Sequence, residues 1–237
     1  MNYSQDFKDF VENGINNFFI GTGNPNGNIL IIGKESAIAS DDIEGKKWYD
    51  SNATDWNQHI QNNTCETLEY NVDENHSLRK TWGKNTWSKY QKLVDNVLEK
   101  ETEKFKVDFL KNAFATEIND SPNLNTINAD KSSLSERKEL FKNSIFINNF
   151  PVVILACSDY IKNNQDIREI DEIFGVTYDG DDSGRYVYST GNWFFTHHNK
   201  KRTKLVIHTR QLSMNVSNKM LENMGKVIRN HIKENLE

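Results

Sequence analysis

Four short apolar runs each end in residues that can do chemistry. Ile29-Leu30-Ile31-Ile32 leads into Gly33-Lys34-Glu35-Ser36, and Ala113-Phe114-Ala115-Thr116 into Glu117-Ile118-Asn119-Asp120. Val152 to Ala156 leads into Cys157-Ser158-Asp159, and Leu205-Val206-Ile207 into His208-Thr209-Arg210-Gln211-Leu212-Ser213. A carboxylate can orient or deprotonate a water, and a histidine can donate to negative charge developing on a leaving group. Glu35 and His208 are therefore the candidate catalytic pair. Gly33, Lys34, Glu117, Asn119, Arg210 and Ser213 are candidate substrate-binding residues beside them. The plainer account is that polar residues follow strands because loops are wet.

Other constellations compete. Cys157 at a strand end can be read as a nucleophile with His208 as its base, or as an inert core cysteine. His197-His198 with His208 fits no common zinc spacing and has no cysteine near it in sequence, so no metal is expected. Gly21-Thr22-Gly23 precedes a strand and not a helix, which fails the dinucleotide-binding test. Lys200, Lys201 and Arg202, with Lys204 close by and Trp193-Phe194 upstream, mix positive charge with aromatic rings. Such a mixture can hold phosphate and stack a base, or it can be a solvated hairpin tip.

The elements that must position these residues are legible from periodicity. A first helix is expected over about 4–19, capped by Ser4, with Phe7, Phe10, Val11, Ile15 and Phe18 on one face. Further helices are expected over 87–99, 136–146, 167–174 and 217–234. The runs beginning near Asn28, Ala113, Pro151 and Lys204 read as buried strands, because they are short and apolar on both faces. Tyr186 to Tyr188 and Trp193 to His197 alternate around Thr190-Gly191-Asn192 as a hairpin. Residues 38–86 carry Trp48, Trp56 and Trp82 among polar residues and read as an insertion with short helices. Strands alternating with helices predict an α/β fold, a three-layer α/β/α arrangement with a mostly parallel central sheet. In such folds ligands sit beyond the carboxyl ends of the strands. Glu35, Glu117 and His208 are then expected to line one pocket.

Composition bounds the rest. The chain has 237 residues, a net charge of −5 and a mean hydropathy of −0.76. It reads as a single domain over 1–237, large enough to need no disulfide staples, and two cysteines exclude a disulfide framework. No apolar run reaches the roughly 18 residues of a membrane span, and the first residues lack a signal-peptide pattern. A cytoplasmic protein with no membrane partner is expected. A negative chain is not a generic polyanion binder, so any nucleic-acid site must be a local patch.

The order of these motifs resembles the uracil-DNA glycosylase superfamily. Ile31-Ile32-Gly33-Lys34-Glu35-Ser36 stands where those enzymes carry a Gly-Gln-Asp-Pro-Tyr-His or Gly-Glu-Ala-Pro-Gly motif, with Glu35 at the place of the water-activating aspartate. Leu205 to Ser213 stands where they carry a strand ending in His-Pro-Ser-Pro, often followed by Leu-Ser. Ala115-Thr116-Glu117 stands where a strand ends in the asparagine that reads the base edge. The resemblance implies that Glu35 positions water, Glu117 reads the base and His208 stabilises the departing base, with DNA or another nucleic acid, or a free nucleotide, as substrate and no cofactor. The first motif here lacks both prolines and the tyrosine, and the last lacks its prolines and first serine. An asparagine offers a donor and an acceptor, whereas an ionised glutamate only accepts. Uracil is therefore expected to be a poor substrate and an amino-bearing base a better one. Two other functions are open: a non-catalytic nucleic-acid or nucleotide binder of the same fold, and a small-molecule hydrolase using Cys157 or Glu35.

Overall fold

The computed structural model describes residues 1–235. Among them the strands are β1 (Thr22–Gly23), β2 (Ile29–Gly33), β3 (Tyr70–Asn71), β4 (Lys106–Val107), β5 (Ala113–Glu117), β6 (Val152–Leu155), β7 (Thr177–Tyr178), β8 (Arg185–Ser189), β9 (Asn192–His198) and β10 (Leu205–Thr209). The helices are α1 (Gln5–Gly14), α2 (Ile43–Asn62), α3 (Thr86–Val97), α4 (Leu134–Asn143), α5 (Ile145–Asn148), α6 (Glu169–Phe174), α7 (Asp181–Gly184) and α8 (Asn218–Asn235).

The main sheet runs β1-β5-β2-β6-β10-β9-β7, with β8 also paired to β9. β5, β2, β6 and β10 are parallel, and the flanking pairings are antiparallel. Ile29 lies opposite Ala113 on one side and Val152 on the other, and Val152 lies opposite Leu205. The expected adjacency of the strands near Asn28, Pro151 and Lys204 is thus present. These strands are apolar on both faces because both are covered. Leu30, Ile32, Phe114, Val153, Leu155 and Val206 pack under α1, α2, α4, α5 and α6. Ile29, Ile31, Ala113, Val152, Ile154, Leu205 and Ile207 pack under α3 and α8. The result is a mixed sheet, parallel at its centre, between two helical layers.

One expectation is corrected. Residues 38–86 read from the sequence as carrying only short helices, but 43–62 form a helix of 20 residues, the longest among the described residues, capped by Asp42 and closed by Asn63 in the left-handed conformation. Tyr49, Ala53 and Trp56 are buried and Ile60 packs beside them. Their spacings of four, three and four are helical, but the stripe is one residue wide and set among charged neighbours. Trp56 meets the Phe7 ring edge-on at 5.1 Å, which makes α2 part of a helical layer.

Candidate active-site cleft

Counted in chain order, the four parallel strands lie 2-1-3-4 across the sheet. The direction of winding reverses between β2 and β6, and ligands of open α/β sheets bind outside the carboxyl ends of the strands at such a point. A cleft of about 500 Å³ opens there. Lys34, Glu35 and Ser36 after β2, Glu117 at the end of β5, and Gln211 after β10 form its polar side. Phe19, Trp48, Tyr70, Trp87 and Tyr90 supply aromatic walls. Its size and aromatic lining suit a small planar ligand.

The Phe19 wall is rigid. Its ring stacks on Tyr49 with centroids 4.5 Å apart. Its backbone N–H donates to Asp120 and its carbonyl accepts from Nη2 of the buried Arg137 at 2.7 Å. Arg137 also donates from Nε to the backbone oxygen of Glu117 at 3.1 Å, and from Nη2 to Thr116 Oγ1. One guanidinium on α4 therefore fixes two sides of the cleft through the main chain.

Glu35 is 6% exposed. Its Oε1 accepts from Thr126 Oγ1 and its Oε2 from the Tyr160 hydroxyl, each at 2.6 Å. Burial and the Glu35 carboxylate push the Tyr160 hydroxyl up, which keeps it a donor. Glu117 is held differently. Its Oε2 is buried and has no hydrogen-bond partner. Burial, and next the negative charge of Glu35, push its carboxyl up to about 8, against a smaller opposing effect of Arg137. At neutral pH Glu117 is therefore the uncharged acid. The expectation of an ionised, acceptor-only glutamate is corrected: desolvation costs the charged form more than any neighbouring cation returns.

Lys34 also lines the cleft. Its ammonium lies 3.3 Å from Asp159 Oδ1 and 4.6 Å from the centre of the Tyr160 ring. Lys131 approaches the same ring at 5.2 Å.

His208 does not join Glu35 and Glu117 as a lining residue. The imidazole is buried, with Nε2 2.9 Å from the Ser158 carbonyl oxygen and Nδ1 3.2 Å from Asn163 Nδ2. The Ser158 oxygen can only accept, so Nε2 carries the proton and Nδ1 accepts from the amide. Burial lowers this histidine to about 4. A neutral ring with both nitrogens occupied has no donor left for a leaving group. The strand alternation explains the shift: His208 points to the same face as Val206, and the chain reaches the cleft only at Gln211. Gln211, whose side-chain amide both donates and accepts, was not singled out in the sequence; its position three residues beyond the histidine gave no separate signal.

Three other candidates are not among the residues that line the cleft. Asn119 is buried and donates from Nδ2 to the Asp130 carbonyl, while its backbone N–H donates to the Lys34 carbonyl. Arg210 donates from Nη1 to the Gly191 carbonyl at the turn between β8 and β9. Ser213 pairs through its backbone with Gln211 and Val216. Lys200, Lys201 and Arg202 are exposed at the turn joining β9 to β10. That turn precedes β10, so it stands at the amino ends of the parallel strands, a strand length of roughly 17 Å from the cleft end. Cys157 is buried, and burial pushes its thiol up to about 12, which leaves it an inert core group. Trp56 is core, Trp82 packs on Phe105, and Trp48 and Trp87 line the cleft.

His197 Nδ1 lies 2.7 Å from Asp171 Oδ1, and its Nε2 lies 3.2 Å from Asn163 Nδ2. The two histidines thus share one asparagine amide. Among the described residues no group of three or more histidine, cysteine, aspartate or glutamate side chains is arranged to hold a metal ion. No described helix is long and apolar enough to cross a membrane. No protein-family model matches the chain, and no curated protein matches it.

Proposed function

We propose that the cleft receives a nucleobase, carried by a nucleic acid or a nucleotide, and that the chain is a divergent member of the uracil-DNA glycosylase superfamily that hydrolyses the N-glycosidic bond. The supporting observation is that two differently held carboxyl groups, Glu35 and Glu117, stand in one aromatic-lined cleft at the winding reversal of the sheet. Aromatic faces stack a base whatever its sequence context. A carboxylate has about four acceptor positions; two hydroxyl donors orient Glu35 and leave room for it to accept from a water aimed at C1′ of the sugar. Glu117 contacts the edge of the base. His208 has no part in the chemistry.

A second reading, a non-catalytic binder, is supported by the locked state of His208 and the engagement of both Glu35 oxygens. One experiment separates the two. Oligonucleotides carrying uracil, hypoxanthine, xanthine or mismatched normal bases are scored for abasic sites with the wild type and with Glu35→Gln. Release by the wild type, lost in Glu35→Gln while binding persists, supports hydrolysis. Binding without release supports the binder, and neither binding nor release removes nucleobases from consideration.

A further inference from the structure

We infer that Glu117 is the general acid of the cleft, delivering a proton to a ring nitrogen of the departing base, and that the base is a purine. The inference rests on the nucleobase reading of the cleft given above.

Four observations carry it. First, the Glu117 carboxyl has no ionic partner. The Arg137 guanidinium donates from Nε and Nη2 to three oxygens, those of Phe19 and Glu117 in the backbone and of Thr116 in its side chain; its Nη1 has no partner, and none of its hydrogen bonds goes to the carboxylate. The nearby Lys34 ammonium goes to Asp159. A buried carboxyl without a cation or a donor is most stable with its proton on. Second, Glu117 lines the cleft while its Oε2 is enclosed without a hydrogen-bond partner. Third, Glu35 in the same cleft has the opposite surroundings, two hydroxyl donors in place of none. Fourth, His208 cannot supply the acid.

The groups facing Glu117 agree with this. Glu35 comes from the loop after β2, Tyr90 from α3, Arg137 from α4, Tyr49 from α2 and Cys157 from the segment after β6. The Tyr90 hydroxyl is itself buried without a partner, and burial followed by the Glu117 charge pushes it up. Burial also pushes Tyr49 and Cys157 up, with Asp120 the next cause for Tyr49, so of these five only Arg137 carries positive charge.

The reaction balances without a further reagent. The water oxygen bonds to C1′ as its proton passes to the Glu35 carboxylate. The C1′–N bond breaks, its electron pair goes to the base, and the Glu117 O–H proton goes to a ring nitrogen of that base. Glu35 then holds one proton and Glu117 none, and exchange with solvent restores both. A purine has ring nitrogens with free lone pairs to take the proton. Uracil offers only weakly basic carbonyl oxygens, and so gains little from an acid.

The test is the pH dependence of base release from hypoxanthine- and uracil-containing oligonucleotides by the wild type and Glu117→Gln, with infrared difference spectra of the two proteins. The glutamine keeps the shape and a donor but has no proton to transfer. We expect hypoxanthine to be released faster than uracil and wild-type turnover to fall about tenfold per pH unit above about 8. Glu117→Gln should lose 10²- to 10⁴-fold in turnover, keep oligonucleotide binding, and show no alkaline limb. The spectra should show a neutral carboxylic acid present only in the wild type. Release that is flat through the alkaline range, an alkaline limb surviving in Glu117→Gln, or uracil outpacing hypoxanthine would overturn the acid and leave the hydrolase. No release of any base, with the neutral acid band present, would overturn the hydrolase reading and the acid together.

Discussion

The Glu117 carboxyl occupies the space that a side chain at position 33 would need. A Cβ on Gly33 would collide with Oε2 of Glu117 across the β2–β5 register, where the two residues are direct partners. Gly33 is there for room. Gly33→Ala should cost on the order of 1–3 kcal/mol, as overpacking does, and push Glu117 out of place. Denaturant melts should show the loss, and oligonucleotide binding should weaken by more than stability alone explains.

The proton on Glu117 links the site to folding. Its pKa is higher in the folded protein, about 8 against an ordinary 4.5. Between those values the folded state holds a proton that the unfolded chain has released, so stability falls as pH rises through that window. The slope is about 1.4 kcal/mol per pH unit at most. Glu117→Gln should flatten it, leaving the variant more stable than the wild type near pH 8 in thermal melts.

His208 behaves in the opposite sense. Burial lowers it to about 4 from 6.5, so its contribution is complete above pH 6.5 and is lost as pH falls towards 4, about 3 kcal/mol in all. His208→Ala should destabilise by about 2–4 kcal/mol, since it leaves the Ser158 carbonyl and the Asn163 amide unpaired. Base release per folded molecule should be nearly unchanged. A loss of turnover in fully folded His208→Ala would return the histidine to the mechanism.

If the partner is a nucleic acid, Lys34 at the cleft mouth should contact phosphate, and the turn bearing Lys200, Lys201 and Arg202 should not. Lys34→Ala should weaken binding and reduce the slope of log affinity against log salt by about 1. The triple alanine variant of the turn should leave both unchanged, as measured by fluorescence anisotropy across a salt series.

The two thiols should differ sharply towards an alkylating reagent. Cys65 is exposed, while Cys157 is enclosed with its thiol pushed up to about 12. Mass spectrometry of the folded protein should find Cys65 modified and Cys157 untouched until denaturant is added. Rapid native modification of Cys157 would reopen its reading as a nucleophile.

The parallel strands were readable because burial on two faces leaves a run such as Ile29 to Ile32 with no polar interruption. The cleft was readable as far as Glu35 and Glu117, since both directly follow or close such runs. His208 was misread because a residue at a strand end can point to either face, and the strand's alternation sends it away from the cleft. α2 was missed because Tyr49, Ala53 and Trp56 bury only a narrow stripe, and a polar surface hides it. The ionisation of Glu117 had no sequence signal at all. It depends first on how deeply the fold buries the carboxyl and next on the Glu35 charge brought beside it, against which Arg137, twenty residues later, acts only weakly.

The central strand has a consequence for synthesis on the ribosome. Ile29 finds its two neighbours at Ala113 and Val152, and the sheet continues only with Leu205. A nascent chain that has emerged as far as α4 carries β2 with one edge uncovered and every side chain apolar. Pairings so distant in sequence form slowly and expose the chain to association with its copies. Fragments ending before residue 150 should therefore aggregate, and the yield of native protein should improve when elongation slows after β6 has emerged.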